Sequence, residues 1–188
     1  LAEKMRPTSL ELLVGQEHLL AHDAPLGRML RERRASSMIL WGPPGSGKTT
    51  LAKIIAEHVN MNFEPLSAVF SGVSDLRKVF DKALERKKVG EETLLFVDEI
   101  HRFNRAQQDS FLPFVEDGTV ILVGATTENP SFELNSALLS RCKVFILQKI
   151  AKAGLENLVK RAEELEGKKL PLEQRARDAL LSMADGDG

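Results

Sequence analysis

The chain has 188 residues, of which 43% are hydrophobic and 28% are charged. This length and hydrophobic content are sufficient for one packed core and a small additional unit. Its 26 basic and 27 acidic residues give a formal net charge of -1, which excludes a strongly basic or acidic protein but not a local basic stripe that binds phosphates. We expect a cytoplasmic protein without membrane contact, because the chain has one cysteine (Cys142), no apolar run near the ~18 residues that span a bilayer, and a charged start unlike a signal peptide.

Strands and helices are predicted to alternate up to about residue 150. The first strand is a short apolar run at residues 38–41, and the clearest amphipathic helix covers residues 75–87. Further strands are predicted at residues 63–68, 93–97, 120–126 and 144–147, with helices at 49–59 and 106–115. This alternation predicts an α/β fold with a mainly parallel, five-stranded sheet and helices on both faces.

The pattern changes after this sheet. Two helical stretches, at residues 152–165 and 172–183, follow without a strand between them and are joined by a turn-rich segment at 167–171. We therefore expect a nucleotide-binding domain at residues 1–149 and part of a small all-helical domain at 150–188. The chain begins on Leu1 and ends beside a helical pattern, so we also expect it to be a fragment of a longer protein.

Residues 42–49 match the G-x-x-x-x-G-K-[ST] phosphate loop in full, between a predicted strand and a predicted helix. Glycines let backbone N–H groups converge on phosphate oxygens, and the helix that follows directs its positive end at the same anion. Lys48 adds a positive charge for the β and γ phosphates, and the Thr49 hydroxyl suits Mg²⁺. The predicted nucleotide-binding residues here are Gly42, Pro43, Pro44, Gly45, Ser46, Gly47, Lys48, Thr49 and Thr50. ATP with Mg²⁺ is the expected ligand.

Asp98 and Glu99 follow four apolar residues at the carboxyl end of a predicted strand, the edge at which parallel sheets bind ligands. Asp98 could hold Mg²⁺ through water, and Glu99 could polarise the water that attacks the γ-phosphate. The alternative is a pair of solvated acids at the start of a helix. A P-loop kinase needs no water-activating base at this position, so the pair favours ATP hydrolysis over transfer to a small molecule.

Two more positions are candidates for catalysis. If the predicted strand that ends at Thr126 lies between the other two, Thr126 or Thr127 points towards the attacking water; a threonine satisfied within the fold is the alternative. Arg141 closes a short helix before the last strand, and we expect it to be exposed without a partner in its own chain. It is either a solvated charge or an arginine finger that completes a neighbouring subunit's site. His101 is interpreted as structural.

Several segments together resemble AAA+ ATPases of the clamp-loader and Holliday-junction-motor branch. They are Pro7, Val14 with Gly15 and Gln16, the phosphate loop, Asp98 with Glu99, residues 125–127 and residues 140–142. Within this branch, ILWGPPG at 39–45, DEIHRFN at 98–104, GATTENPSF at 124–132 and ALLSRC at 137–142 resemble the replication-associated recombination protein A family, whose eukaryotic relative is the Werner-helicase-interacting ATPase. The resemblance extends from about Ala2 to Ile150.

This resemblance implies an ATPase with a helical lid that acts at stalled or gapped replication forks, in recombination and repair. Its partners would be gapped, forked or single-stranded DNA, the single-stranded-DNA-binding protein and further copies of the chain. It would act on the nucleoid in the cytoplasm, and DNA would stimulate its turnover. By position, the residues that bind nucleotide and metal would be Lys48, Thr49, Asp98 and Glu99. The first sensor would be Thr126, with Thr127 and Asn129 as alternatives, and the arginine finger would be Arg141. The adenine pocket would be lined by Arg6, Pro7, Val14 and Gly15. Arg102 and Arg105 would be candidates for DNA contact, whereas Phe111, Phe114 and Trp41 are interpreted as core. The second sensor would lie just beyond Gly188.

A different class of function remains open. A clamp-loader-like scaffold subunit would bind nucleotide mainly for assembly, but it would need neither Glu99 nor Arg141. The ATPase subunit of a bacterial sliding-clamp loader carries a zinc module with several cysteines, which one cysteine cannot supply. A working, DNA-linked ATPase is therefore the favoured interpretation.

Overall fold

The computed structural model describes Pro7 and residues 9–187. Its strands are β1 (Met38–Trp41), β2 (Asn62–Ser67), β3 (Thr93–Asp98), β4 (Ile121–Thr126) and β5 (Lys143–Ile146). They form one sheet in the order β2-β3-β4-β1-β5, and all four pairings are parallel. This confirms the predicted five-stranded parallel sheet, with strand bounds that agree to within one residue.

The described residues also form helices before, between and after the strands. They are α1 (Glu17–Leu20), α2 (Pro25–Arg31), α3 (Lys48–His58), α4 (Val73–Lys88), α5 (Arg105–Asp109), α6 (Leu112–Glu116), α7 (Pro130–Glu133), α8 (Ser136–Leu139), α9 (Lys152–Glu166) and α10 (Gln174–Ala184), with 3-10 turns at Leu10–Leu12 and Ile100–Arg102. Within the part of the chain that the structure describes, no helix combines the length and the apolar character needed to cross a membrane.

The two faces of the sheet pack against different helices. Leu94 and Phe96 of β3 belong to the hydrophobic cluster that contains the buried residues of α3, whereas Leu95 and Val97 belong to the cluster that contains those of α4. Successive side chains of a strand point to opposite faces, so a strand covered on both sides is an uninterrupted apolar run. The prediction of helices on both faces is confirmed.

The helix predicted at residues 106–115 is wrong in one respect, since the structure divides it into α5 and α6. The physical reason is Pro113, which has no N–H to donate to the carbonyl of Asp109 and whose ring disfavours that turn of a continuous helix. Phe111 lies at the break, fully buried, and its ring meets that of Phe80 edge-on at 5.6 Å. Phe114 stacks on Phe80 at 4.0 Å, so both phenylalanines belong to the core as predicted.

A third, smaller hydrophobic cluster lies beyond the sheet. It consists of Ile150, Leu155 and Leu181, with Val14 and Leu158 among the partly buried residues packed against it. The guanidinium of Arg177 on α10 donates two hydrogen bonds to the carboxylate of Glu163 on α9, at 2.9 and 3.1 Å. The last two helices are therefore joined to each other and, through Val14, to the segment that precedes α1.

Candidate functional site

A cavity of about 490 Å³ lies at the carboxyl edge of the sheet, a volume typical of small-molecule sites. Four parts of the chain line it. They are the segment before α1 (Pro7, Leu13, Val14), the phosphate loop and the start of α3 (Pro44, Gly45, Ser46, Gly47, Lys48, Thr49, Thr50), the ends of two strands (Asp98, Glu99, Thr127) and the region of the last two helices (Ile150, Leu158). The strand order explains this meeting, because β4 lies between β1 and β3 as expected.

The backbone of the phosphate loop fits an anion. Gly45 and Gly47 have φ values of +67° and +91°, a left-handed conformation that glycine adopts without a steric penalty. The loop runs into α3, an 11-residue helix that begins at Lys48 and directs its N-terminus towards the cavity. Gly42 is constrained differently, since a Cβ there would lie 2.7 Å from the carbonyl oxygen of Leu147.

Lys48 is buried, and its ammonium donates to the carbonyl oxygens of Gly42 and Pro43, each at 2.8 Å. Burial lowers the pKa of this amine, and the nearby carboxylates of Glu99 and Asp98 partly oppose the shift. The ammonium charge of Lys48 is therefore held within the loop by backbone oxygens. Phosphate oxygens of a bound nucleotide would compete with these carbonyls for the ammonium. Gly42 and Pro43 take part through these carbonyls and do not line the cavity.

The two acids behave differently at the end of β3. Asp98 is the last residue of the strand, and its carbonyl accepts from Ala68 N–H at 2.9 Å. Glu99 has a left-handed backbone, with φ 52° and ψ 44°, which is unfavourable for a residue other than glycine. Both line the cavity with Thr49. Mg²⁺ is commonly held by one or two protein oxygens together with substrate phosphates, and the Thr49 hydroxyl and the Asp98 carboxylate fit that pattern.

The three candidates for the first sensor occupy different places. Thr127 lines the cavity, whereas Thr126 is fully buried and does not. The Thr126 hydroxyl lies 2.8 Å from His101 Nδ1 and accepts from Glu128 N–H at 3.0 Å. The Asn129 side chain accepts from Ser131 N–H at 3.0 Å and so caps α7. The side chain of His101, interpreted from the sequence as structural, is 7% exposed and contacts Glu99, a contact that local sequence does not predict.

The expectation that Arg141 has no partner in its own chain is wrong. Its guanidinium forms an ion pair with Glu116 at the end of α6, and it also donates to the Ala137 carbonyl at 2.7 Å. The two residues are far apart in sequence and meet because α6 and α8 pack on the same cluster, which local sequence could not reveal. The Arg141 side chain is still 38% exposed and does not line the cavity of its own chain.

Gln16 is a site residue for which sequence reasoning assigned no role. It is fully buried, and its side-chain nitrogen donates to the carbonyls of Ser46 at 3.1 Å and Gln148 at 2.8 Å. The phosphate loop is thereby joined to the segment that leaves β5. Of the expected adenine pocket, Pro7 and Val14 line the cavity, Gly15 packs close to Ile150, and Arg6 lies outside the described residues. The sequence signal for Gln16 was its place beside Val14 and Gly15 among the segments that carry the family resemblance.

Comparison with known proteins agrees with this geometry. Residues 38–150 match the ATPase family associated with various cellular activities (AAA). The chain is 50% identical to "Replication-associated recombination protein A" of Haemophilus influenzae, an alignment that covers 100% of this chain and 43% of the relative. It is 51% identical to "ATPase WRNIP1" of Dictyostelium discoideum, with 100% of this chain and 22% of that protein covered. The chain thus spans less than half the length of these relatives.

Solved structures show a similar fold. The Holliday junction branch migration motor RuvB of Thermotoga maritima superposes with a TM-score of 0.69 at 33% identity, covering 87% of this chain and 55% of that one. A variant of the same protein gives a TM-score of 0.71 at 31% identity. The resemblance inferred from the sequence motifs is confirmed, both for the fold and for the relatives.

Proposed function

Because the chain belongs to the AAA family of ATPases and is homologous along its whole length to replication-associated recombination protein A, we propose that it hydrolyses ATP within a DNA-linked homo-oligomer. The observation that carries this proposal is the meeting of a complete phosphate loop with Asp98 and Glu99 in one cavity. Nucleotide binding alone would need only the loop. The adjacent pair of acids supports hydrolysis as well.

Lys48, Thr49, Asp98, Glu99 and Thr126 have proposed tasks in hydrolysis. Lys48 neutralises charge on the β and γ phosphates, while Thr49 and Asp98 hold Mg²⁺, which would supply further neutralisation when bound. Glu99 orients and polarises the attacking water. Thr126 is proposed as the first sensor, and the position of Thr127 on the cavity wall supports it as the alternative.

We divide the chain at the exit from the sheet, with a nucleotide-binding domain at residues 1–149 and part of a helical lid at 150–188. The separate hydrophobic cluster around Ile150, Leu155 and Leu181 supports this division. Val14 packs against that cluster and also lines the cavity. Ile150 and Leu158 of the proposed lid line the same cavity, so an adenine ring bound beside Pro7 and Val14 would lie between the two domains.

The oligomer and its partners are proposed from the relatives and from exposed arginines. Arg141 is the finger that completes the site of a neighbouring subunit, and its partial exposure supports that role. Arg102 and Arg105 are exposed next to the acidic pair and are candidates for contact with DNA phosphates. The name of one relative supports a place in replication and recombination. From the family resemblance we further propose a role in replication-fork maintenance and repair. Its partners would be gapped, forked or single-stranded DNA and the single-stranded-DNA-binding protein, in a cytoplasmic, nucleoid-associated setting.

The test is a comparison of ATPase rates for the protein at its natural length, with and without gapped DNA. We expect turnover that requires Lys48 and Glu99 and that rises when gapped DNA is added. A protein that binds ATP but shows no turnover with any DNA would instead be a scaffold subunit that uses nucleotide for assembly. Turnover that Lys48→Ala leaves unchanged would place the active site elsewhere.

A further inference from the structure

One imidazole joins the ends of two neighbouring strands. His101 lies in the 3-10 turn directly after Glu99, and its side chain is only 7% exposed. Its Nε2 lies 3.2 Å from a carboxylate oxygen of Glu99, and its Nδ1 lies 2.8 Å from the hydroxyl of Thr126. Glu99 follows β3 and Thr126 ends β4, which are paired strands. The side chain therefore connects the proposed catalytic base to a candidate nucleotide sensor.

The chemistry of these groups fixes which nitrogen of His101 carries the proton. An ionised carboxylate only accepts, so the contact with Glu99 requires a proton on Nε2 of His101. A neutral imidazole then has an unprotonated Nδ1, which must accept from the Thr126 hydroxyl. The oxygen of that hydroxyl already accepts from Glu128 N–H at 3.0 Å. A Thr126 hydroxyl that gives its single proton to His101 has none left for the Glu128 carbonyl oxygen, a competing acceptor 3.3 Å away.

The backbone conformation of Glu99 requires contacts that hold it in place. Its left-handed conformation is disfavoured for a residue with a side chain, and such conformations persist when surrounding contacts hold them. A backbone hydrogen bond from Arg102 N–H to the Glu99 carbonyl, at 2.8 Å, holds the main chain. The contact with His101 holds the carboxylate. A change at Thr126 would reach Glu99 through the same ring.

We propose that His101 is a positioning residue that couples the hydrogen-bonding state of Thr126 to the placement of the Glu99 carboxylate. When the Thr126 hydroxyl gives its proton to another acceptor, the imidazole loses its partner on Nδ1 and its hold on Glu99 changes. This inference rests on the proposed ATPase function for its effect on turnover. The contacts of His101 with Glu99 and with Thr126 can be tested without turnover.

The contacts of His101 with Glu99 and with Thr126 together form a bridge between the two strands, and two conservative variants separate these contacts. The amide of His101→Gln reaches the position of Nε2 and can still donate to Glu99, whereas the shorter amide of His101→Asn reaches only the position of Nδ1 beside Thr126. At natural length, we expect His101→Asn to lower kcat roughly 10²-fold, the scale of a misplaced catalytic group, with the Kd for ATP within about twofold. His101→Gln should recover most of this loss. The control is His58→Gln, which removes a histidine whose Nε2 lies 2.9 Å from the Leu30 carbonyl oxygen, away from the cavity.

A double variant tests the coupling. If the two residues act through one chain, His101→Asn combined with Thr126→Val should lower kcat no further than the worse single variant. Losses that multiply would show that they act separately and would overturn the proposal. An equal loss of kcat in His101→Gln and His101→Asn, or a loss confined to ATP affinity, would also contradict it.

Nitrogen NMR provides the second measurement, on this chain labelled with 15N-histidine, which has four histidines. We expect His101 to be the tautomer protonated on Nε2, and we expect its Nδ1 signal to move in Thr126→Val and its Nε2 signal in Glu99→Gln. A signal that neither variant moves would overturn the bridge. If both contacts of His101 are found while the wild-type protein lacks turnover, the ATPase proposal fails and the bridge between Glu99 and Thr126 stands.

Discussion

The side-chain amide of Gln16 pairs with both backbone groups of Gln148. Its oxygen accepts from Gln148 N–H at 3.0 Å, and its nitrogen donates to the Gln148 carbonyl at 2.8 Å and to the Ser46 carbonyl at 3.1 Å. Gln148 lies two residues before Ile150, where the third hydrophobic cluster begins. One fully buried side chain thus fixes the phosphate loop relative to the start of the last two helices.

Gln16→Leu should destabilise the chain by about 1–3 kcal/mol, because an apolar side chain leaves the buried Ser46 carbonyl and the partly buried backbone groups of Gln148 without their partner. Denaturant unfolding monitored by circular dichroism measures this loss. The control is Gln107→Leu. The amide oxygen of Gln107 accepts from Asn104 N–H at 3.0 Å at the start of α5, and its loss should lower the free energy of unfolding by less than about 1 kcal/mol. Equal losses in the two variants would mean that the contact with Gln148 has no special weight.

Lys48→Ala should abolish detectable ATP binding, because Lys48 is the only cation of the phosphate loop and its ammonium already lies among loop oxygens. Isothermal titration calorimetry measures the affinity. Lys82→Ala is the control, since Lys82 of α4 pairs with Glu64 of β2 and neither residue lines the cavity. An unchanged affinity in Lys48→Ala would contradict the assignment of the loop.

Glu99→Gln should separate binding from hydrolysis. The amide keeps the shape of the side chain and leaves Asp98 in place, so ATP should bind with an affinity near that of the wild type. Turnover should fall by roughly 10²-fold or more, the scale of lost general-base help. Steady-state kinetics at natural length, combined with calorimetry, distinguish the two effects. A turnover near the wild-type rate would reduce Glu99 to a structural residue after β3.

Cys142 provides a prediction about reactivity. Burial raises the pKa of its thiol from 9.0 to about 12, so the neutral form is favoured in the folded chain. Because the thiolate is the reactive species, alkylation at pH 8 should be roughly 10³-fold slower in the folded chain than in denaturant. Mass spectrometry of the labelled chain measures both rates. Similar rates would show that solvent reaches the thiol.

The sequence was sufficient for features that depend on local pattern. β1 was placed correctly because four apolar residues end on Gly42, and α3 because it follows the phosphate loop. The division between α5 and α6 was missed although Pro113 signalled it. The bridge from His101 to Thr126 and the ion pair of Arg141 were beyond local patterns, because each depends on which strands and helices become neighbours in space.

The ion pair of Arg141 with Glu116 changes how a finger must be tested. Removal of the partner should have little effect on stability, since an exposed ion pair is worth at most about 1 kcal/mol. We therefore expect Glu116→Gln at natural length to unfold like the wild type and to keep its turnover, because Arg141 is released rather than lost. A fall in turnover as large as that of Arg141→Ala would mean that the ion pair itself is required.

Arg141→Ala should bind ATP with near-normal affinity and hydrolyse it at least ~10³-fold more slowly, the scale of arginine fingers in other NTPases. The defect should be complemented between subunits. In an equal mixture of Arg141→Ala and Glu99→Gln chains, roughly a quarter of the interfaces would join an intact Glu99 to a neighbour's intact Arg141, so about a quarter of the turnover should return. If Arg141 acted within its own chain, neither chain of the mixture would hold a complete site, and no activity would return. Sedimentation run beside the assay checks that the mixed chains assemble, so a mixture that assembles without turnover would refute the role of Arg141 between subunits.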